Sequence, residues 1–164
     1  MKSKKLKPLS VEELIAEYSP VIYRIAFARL GNVPDAEDIT QDVLIKYIRS
    51  DIKFNDEDHR RKWLIRVTVN AINSLVTSAW NKRTVPLDEV CDAYTKDCCE
   101  ALDIREALCR LPEKYRIPIH LFYFEDMTIN QIAEVTESTE GTVKSLLSRG
   151  RSKLKEMLKE DDYV

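Results

Sequence analysis

The 164-residue chain carries 26 basic and 28 acidic side chains, for a formal charge of -2, and only three glycines. That length accommodates one domain or two small ones, and so little glycine beside abundant Leu, Ile, Glu and Lys excludes a turn-rich sheet protein and predicts an all-α fold. No apolar run approaches the ~18 to 20 residues that span a bilayer, and the start MKSKKLKPLS has no apolar secretory stretch, which points to the cytoplasm.

In chain order, Ser10 with Glu13 forms a capping box ahead of Leu14, Val21, Ile22, Ile25 and Leu30, predicting a first helix from about Val11 to Leu30 that Gly31 ends. Pro34 in a first turn, with Asp35, Glu37 and Asp38 near the positive helix end, opens a second helix to about Ser50. Its face Asp38, Gln41, Ile45 and Arg49 is outward, and Ile39, Val43, Tyr47 and Ile48 turn inward. A third helix is expected from about His59 to Trp80, with Leu64, Val67, Ala71 and Leu75 as its inward stripe. From Thr84 to about Glu100 periodicity is lost and acids accumulate, which predicts an extended linker. Beyond it, Ala101 to Leu111 and Glu113 to Phe124 are expected helices, Thr128 with Gln131 caps a short helix to about Thr136, and a long helix runs from about Glu140 to Lys159.

The near-zero charge conceals segregation. Arg60, Arg61, Lys62, Arg66, Lys82 and Arg83 fall in a stretch without acids; Asp88, Glu89, Asp92, Asp97, Glu100, Asp103 and Glu106 follow; Lys144, Arg149, Arg151, Lys153, Lys155 and Lys159 make the tail basic again. Two basic blocks around an acidic connector point to two contacts with a polyanion. Cys91, Cys98, Cys99 and Cys109 lack zinc-ligand spacing and read as reduced bystander thiols. No cofactor and no metal are expected.

A short capped helix, a tight turn and a longer basic helix form the pattern of a helix-turn-helix, whose second helix enters the major groove. On it, Val143, Leu147, Gly150, Leu154 and Leu158 are placed toward the core, leaving Thr142, Lys144, Ser145, Leu146, Ser148, Arg149, Arg151 and Lys153 for DNA. In the other half Phe54, Arg60, Arg61, Lys62, Trp63, Arg66 and Asn70 combine cations with planar and amide groups, a mixture suited to a single strand with unstacked bases. Trp63 is expected to support the loop more than to touch a base.

These segments carry a family resemblance. Leu111-Pro112-Glu113-Lys114-Tyr115-Arg116, Gln131-Ile132-Ala133-Glu134, Gly141-Thr142-Val143-Lys144-Ser145 and Ser148-Arg149-Gly150-Arg151 resemble region 4 of sigma factors, the promoter -35 reader. Response-regulator activators carry a similar helix-turn-helix, but here Ala36-Glu37-Asp38-Ile39-Thr40-Gln41-Asp42-Val43 resembles sigma region 2.2. Trp63-Leu64-Ile65-Arg66-Val67-Thr68-Val69-Asn70 resembles region 2.3, and Asn81-Lys82-Arg83 the basic end of region 2.4. With no third domain between, the order is similar to that of extracytoplasmic-function (ECF) sigma factors. The resemblance implies region 2 at 10–84, an acidic linker at 85–100 and region 4 at 101–159. It implies a polymerase-binding face of Asp38, Gln41, Asp42, Ile45 and Arg49 toward the clamp helices of the largest subunit, and -10 recognition by the Phe54 to Asn70 set with Lys82 and Arg83. Partners are RNA polymerase core, promoter DNA and an anti-sigma factor. Leu146 stands where the family often has Arg, and Asn73, Ser74 and Ser78 replace an Asp and basic residues, so the resemblance leaves the -35 and -10 sequence preferences open.

Two other classes stay in view. A stand-alone regulator would dimerise and bind palindromic duplex without polymerase. A cysteine-nucleophile enzyme would need a partner base, yet His59 and His120 are the only histidines and neither lies near a Cys in sequence.

Overall fold

A computed structural model of the chain describes residues 6–80 and 107–161. Six helices are delimited among them: α1 (Val11–Leu30), α2 (Val33–Arg49), α3 (Glu57–Trp80), α4 (Glu113–Tyr123), α5 (Ile129–Val135) and α6 (Glu140–Asp161), with a helical turn at 107–110 before α4. No strand occurs among the described residues. The expected linker at 85–100, Lys82 and Arg83 lie outside them, as does most of the helix expected from Ala101.

Local chemistry sets the helix ends. Ser10 accepts from the Glu13 amide while the Glu13 carboxylate accepts from the Ser10 amide, and Gly31 closes α1 in the left-handed conformation at φ 71°. Asn32 caps α2 through the Asp35 amide, with Pro34 in the first turn where its missing N–H costs nothing. Asp56 accepts from the His59 amide and so starts α3 two residues earlier than expected.

α1, α2 and α3 pack mutually, as do α4, α5 and α6. The two sets also meet, α1 against α4 and α3 against α5, and their buried apolar side chains form one contiguous cluster. Leu14, Ile22 and Ile25 of α1 meet the expectation of burial. The inward stripe of α3 is rotated from the one expected: Leu64, Ile65, Thr68, Val69 and Ile72 are buried, while Val67, Ala71 and Leu75 are half-buried. Thr68 tolerates burial because its hydroxyl donates to the Leu64 carbonyl. A helix covered on two sides, by α1 with α2 and by α5, has no single stripe for periodicity to find. Ile48 and Leu158, placed inward on periodicity, are 52% and 37% exposed.

At Gly150, α6 packs closely against α4. A Cβ there would lie 3.0 and 3.1 Å from Cγ1 and Cδ1 of Ile119 and 3.3 Å from Cβ of Tyr115. Gly150→Val is expected to destabilise the chain by ~2 kcal/mol through overpacking, measured by urea unfolding. Gly150→Ala should cost less, because alanine gains ~1 kcal/mol of helix propensity. Ile119→Val, which removes the Cδ1 contact, should be less harmful in the Gly150→Ala background than in the wild type.

Candidate nucleic-acid interface

The second half builds a helix-turn-helix from its own hydrogen bonds. Thr128 and Gln131 form a complete capping box on α5. The chain leaves α5 through Glu137, in the left-handed region at φ 53°, with the Ser138 amide donating to the Ala133 carbonyl. Thr139 then accepts from the Thr142 amide at 3.1 Å and starts α6, and Asn130 donates to Glu140 across the turn. Val143, Leu147 and Gly150 seat α6 on the core.

Thr142, Ser145, Arg149 and Lys153 follow i, i+3, i+7, i+11 and are all exposed, giving one polar and basic row along α6. Lys144 and Ser148 are exposed on the other flank. Arg151 shares that flank and is held there: its Nε donates to the Tyr123 hydroxyl at 2.6 Å, and its guanidinium lies over the Phe122 and Tyr123 rings. Leu146, placed with the DNA-facing residues on sequence, is half-buried and packs against the core.

The first half divides its expected residues differently. Phe54 is buried in an aromatic box, stacked on Tyr47 with Trp63 and His59 at its edges. Trp63 is half-buried in that box, the supporting place expected of it. Arg60 is 1% exposed; its guanidinium lies over the Phe54 ring, pairs with Glu57 at 2.7 Å and donates to the Lys7 carbonyl at 2.8 Å. Two members of the expected set, Phe54 and Arg60, therefore pin the loop before α3 and the segment before α1 rather than face solvent. Asn70 is exposed, and beyond it Asn73, Ser74, Thr77 and Ser78 line a shallow depression of about 510 Å³. On α2, Asp38, Gln41, Asp42, Ile45 and Arg49 are all exposed, and Ile45 and Ile48 stand out of a polar surface with Ile52 just beyond the helix.

Arg61, Lys62 and Arg66 meet the other half. Arg61 donates to the Glu125 carbonyl at 2.7 Å and pairs with its carboxylate at 3.3 Å. Lys62 lies 3.8 Å from the Glu134 carboxylate as well as 3.0 Å from Asp58, and Arg66 donates to the Glu134 carbonyl at 3.0 Å. Arg24 of α1 donates twice to Glu125, at 3.2 and 3.3 Å, and His120 lies 3.2 Å from the same oxygen. At the far end Arg29 pairs with Glu113, and Arg116 donates to the Arg29 carbonyl. Burial pushes the Glu125 carboxyl up, but the His120 hydrogen bond and the Arg24 charge outweigh it and hold the group below its ordinary range.

Sequence reading missed Arg24, Glu125 and Glu134. One signal existed: Glu125 and Asp126 follow the C-terminal end of α4, where the helix dipole disfavours negative charge. A carboxylate there needs cations from elsewhere, but the sequence does not say which, because Arg24 lies 101 residues away.

Comparison with known proteins gives a consistent family. The family model for "Sigma-70 region 2" matches residues 14–82, and that for "Sigma-70, region 4" matches residues 101–154. Among characterised relatives, the RNA polymerase sigma factor SigV of Bacillus subtilis is 28% identical over 99% of both chains. The ECF RNA polymerase sigma factor SigW of the same organism is 28% identical over 90% of this chain and 88% of its own. Among solved structures, the sigma factor RpoE in complex with the anti-sigma factor NepR from Bartonella quintana superposes with a TM-score of 0.70 at 20% identity. The match covers 90% of this chain and 96% of that one, a likeness of fold. No helix among the described residues is long and apolar enough to cross a membrane, and no cluster of three or more of their His, Cys, Asp and Glu side chains is arranged to hold a metal ion.

The placement of Arg60 separates structural from ligand-facing cations. Arg60→Ala should lower stability by ~2 kcal/mol through lost packing and hydrogen bonds, whereas Arg149→Ala on the exposed row should change it by less than ~0.5 kcal/mol. Thermal unfolding of both variants checks this; equal melting temperatures would contradict the burial of Arg60.

Proposed function

The chain belongs to the sigma-70 family as an ECF sigma factor, and from that membership and the geometry above we propose how its two halves divide the work. It directs RNA polymerase core to promoters and starts transcription by recognising the -35 and -10 elements and assisting strand opening. It works in the cytoplasm, where the polymerase is, and makes or breaks no covalent bond.

Residues 10–84 act as region 2, 85–100 as connector and 101–159 as region 4. The exposed row Thr142, Ser145, Arg149 and Lys153 is the observation that carries the duplex-reading role, since it projects from the second helix of a helix-turn-helix. Lys144 and Ser148 supply flanking phosphate contacts. On α3, Asn70 receives a flipped -10 base, Arg61, Lys62 and Arg66 follow the strand, and Lys82 and Arg83 extend its track. Asp38, Gln41, Asp42, Ile45 and Arg49 dock on the clamp helices of the largest polymerase subunit. An anti-sigma factor is a fitting regulator, as the complex of RpoE with NepR illustrates for that protein.

A pair of weak contacts is enough for specificity when both ride on one polymerase, because the second contact becomes effectively intramolecular. Added to bacterial core polymerase, the chain should give start-site-specific run-off transcripts. Asn70→Ala and Arg149→Ala should each weaken them by roughly 5- to 150-fold, the range of one lost base contact. Asn70→Ala should respond to changes in the -10 element only, and Arg149→Ala to the -35 element only. Absence of any specific transcript with wild-type chain would overturn the reading.

A further inference from the structure

We propose that the lysines ahead of α1 form a third nucleic-acid contact: Lys2, Lys4, Lys5 and Lys7 make a basic arm, rooted on α3 by Arg60, that pairs with phosphates of the promoter single strand where it passes the start of that helix. The inference rests on the -10 role proposed for α3. It adds a binding element to which family membership assigns no role, since the arm precedes the part of the chain that matches region 2.

The root is a buried junction. Arg60 is 1% exposed, pairs with Glu57 at 2.7 Å and donates to the Lys7 carbonyl at 2.8 Å. Its remaining nitrogen, Nε, is buried as well, so no part of this cation is open to a phosphate. One base of the α3 stretch is thereby withdrawn from the surface, and the same bond fixes where a run of four others begins. Pro8 confines Lys7 to extended backbone, Leu9 packs on the core and Ser10 caps α1, while the Lys7 side chain stays exposed.

Charge gives the arm its task. Residues 1–11 hold four lysines and no acid. The place where they are rooted has the opposite balance: Asp51 and the three consecutive acids Asp56, Glu57 and Asp58 are exposed around the start of α3, and Lys62 already pairs with Asp58. His59, Trp63, Arg66 and Asn70 follow i, i+4, i+7, i+11 and share one face of α3. A strand laid along that face toward the N-terminal end of the helix therefore runs onto acids that repel its phosphates. The lysines are the cations within reach. From Lys7 to Lys2 the chain spans up to roughly 17 Å, against about 15 Å of helix from Arg60 to Asn70. Lysine is a compact point charge on a long stem, suited to backbone phosphate and not to base edges, and basic arms of this kind bind nucleic acid.

The decisive quantity is the salt dependence of strand binding. Core polymerase carrying the whole chain is titrated with a labelled non-template strand that spans the -10 element of a promoter mapped by run-off transcription, with nucleotides flanking it on both sides. The variant has Lys2, Lys4, Lys5 and Lys7 each changed to Gln. Arg60 bonds the Lys7 main chain, which the change leaves in place, so the melting temperature should not move. Each phosphate contact to a single strand contributes about 0.7 to the slope of log affinity against log salt, so losing one to four contacts should flatten that slope by about 0.7 to 2.8. At the upper end, the wild type loses about 50-fold more affinity than the variant between about 50 and 200 mM salt. Shortening one flank of the strand should abolish the difference; shortening the other flank, the one that responds to Lys82→Gln and Arg83→Gln, should leave it. Equal slopes for variant and wild type, or a difference that persists whichever flank is removed, would overturn the arm and, with specific transcripts still made by the wild type, leave the sigma function standing. A wild-type chain that gives no specific transcript would overturn the function itself.

Discussion

Glu125 is a buried carboxylate whose arginine partners among the described residues, Arg24 and Arg61, come from the other half of the chain. It sits just past the end of α4, 4% exposed, with His120 beside it. Burying a charge without partners costs several kcal/mol, and the cations that meet this cost, Arg24 and Arg61, come from the other half of the chain. This exchange, the apolar cluster shared by the two halves and the Arg29–Glu113 pair together join them. Charge-assisted hydrogen bonds contribute ~1.5 to 3 kcal/mol each when shielded, and the half-exposed Arg24 and Arg61 less because water screens them. A seam of that strength holds two small bundles together yet yields to a stronger polyanion or a large protein surface.

The same arithmetic explains the near-neutral formal charge. A promoter-binding protein gains affinity from clustered cations, but unpaired clusters repel one another and bind any polyanion. Here the basic stretch of α3 is partly matched by Glu125, Glu134 and Asp58, and the α6 tail stays exposed and basic. Charge is distributed by which group is to be available in which state, so the total of -2 says little about any one surface.

Most of the fold was legible in the sequence because its signals are local. The capping boxes at Ser10 and Thr128, the Gly31 stop and the Thr139 turn each depend on residues within three or four positions, and the helices begin and end within about two residues of where they were read. The inward stripe of α3 was not legible, because cover on two sides leaves no single apolar face. Arg60 and Phe54 were assigned to DNA by residue type and by the family resemblance. Arginine serves a phosphate or an aromatic box equally well, and only the three-dimensional position of Phe54, Tyr47 and Trp63 decides. The seam was illegible for a related reason: its partners are 64 to 101 residues apart at Glu125, and long-range pairs leave no periodic trace.

If the halves are closed by their own charges and opened by the complex they enter, the distance between them is the decisive quantity. It can be read by pulsed dipolar spectroscopy between spin labels at the exposed positions Glu17 on α1 and Glu156 on α6, in a chain whose cysteines are replaced by serine. A single narrow, short distance in the free chain that moves tens of ångströms outward when core polymerase and promoter DNA are added is the predicted result. A broad, long distribution in the free chain, or one short distance that persists in the promoter complex, would contradict it.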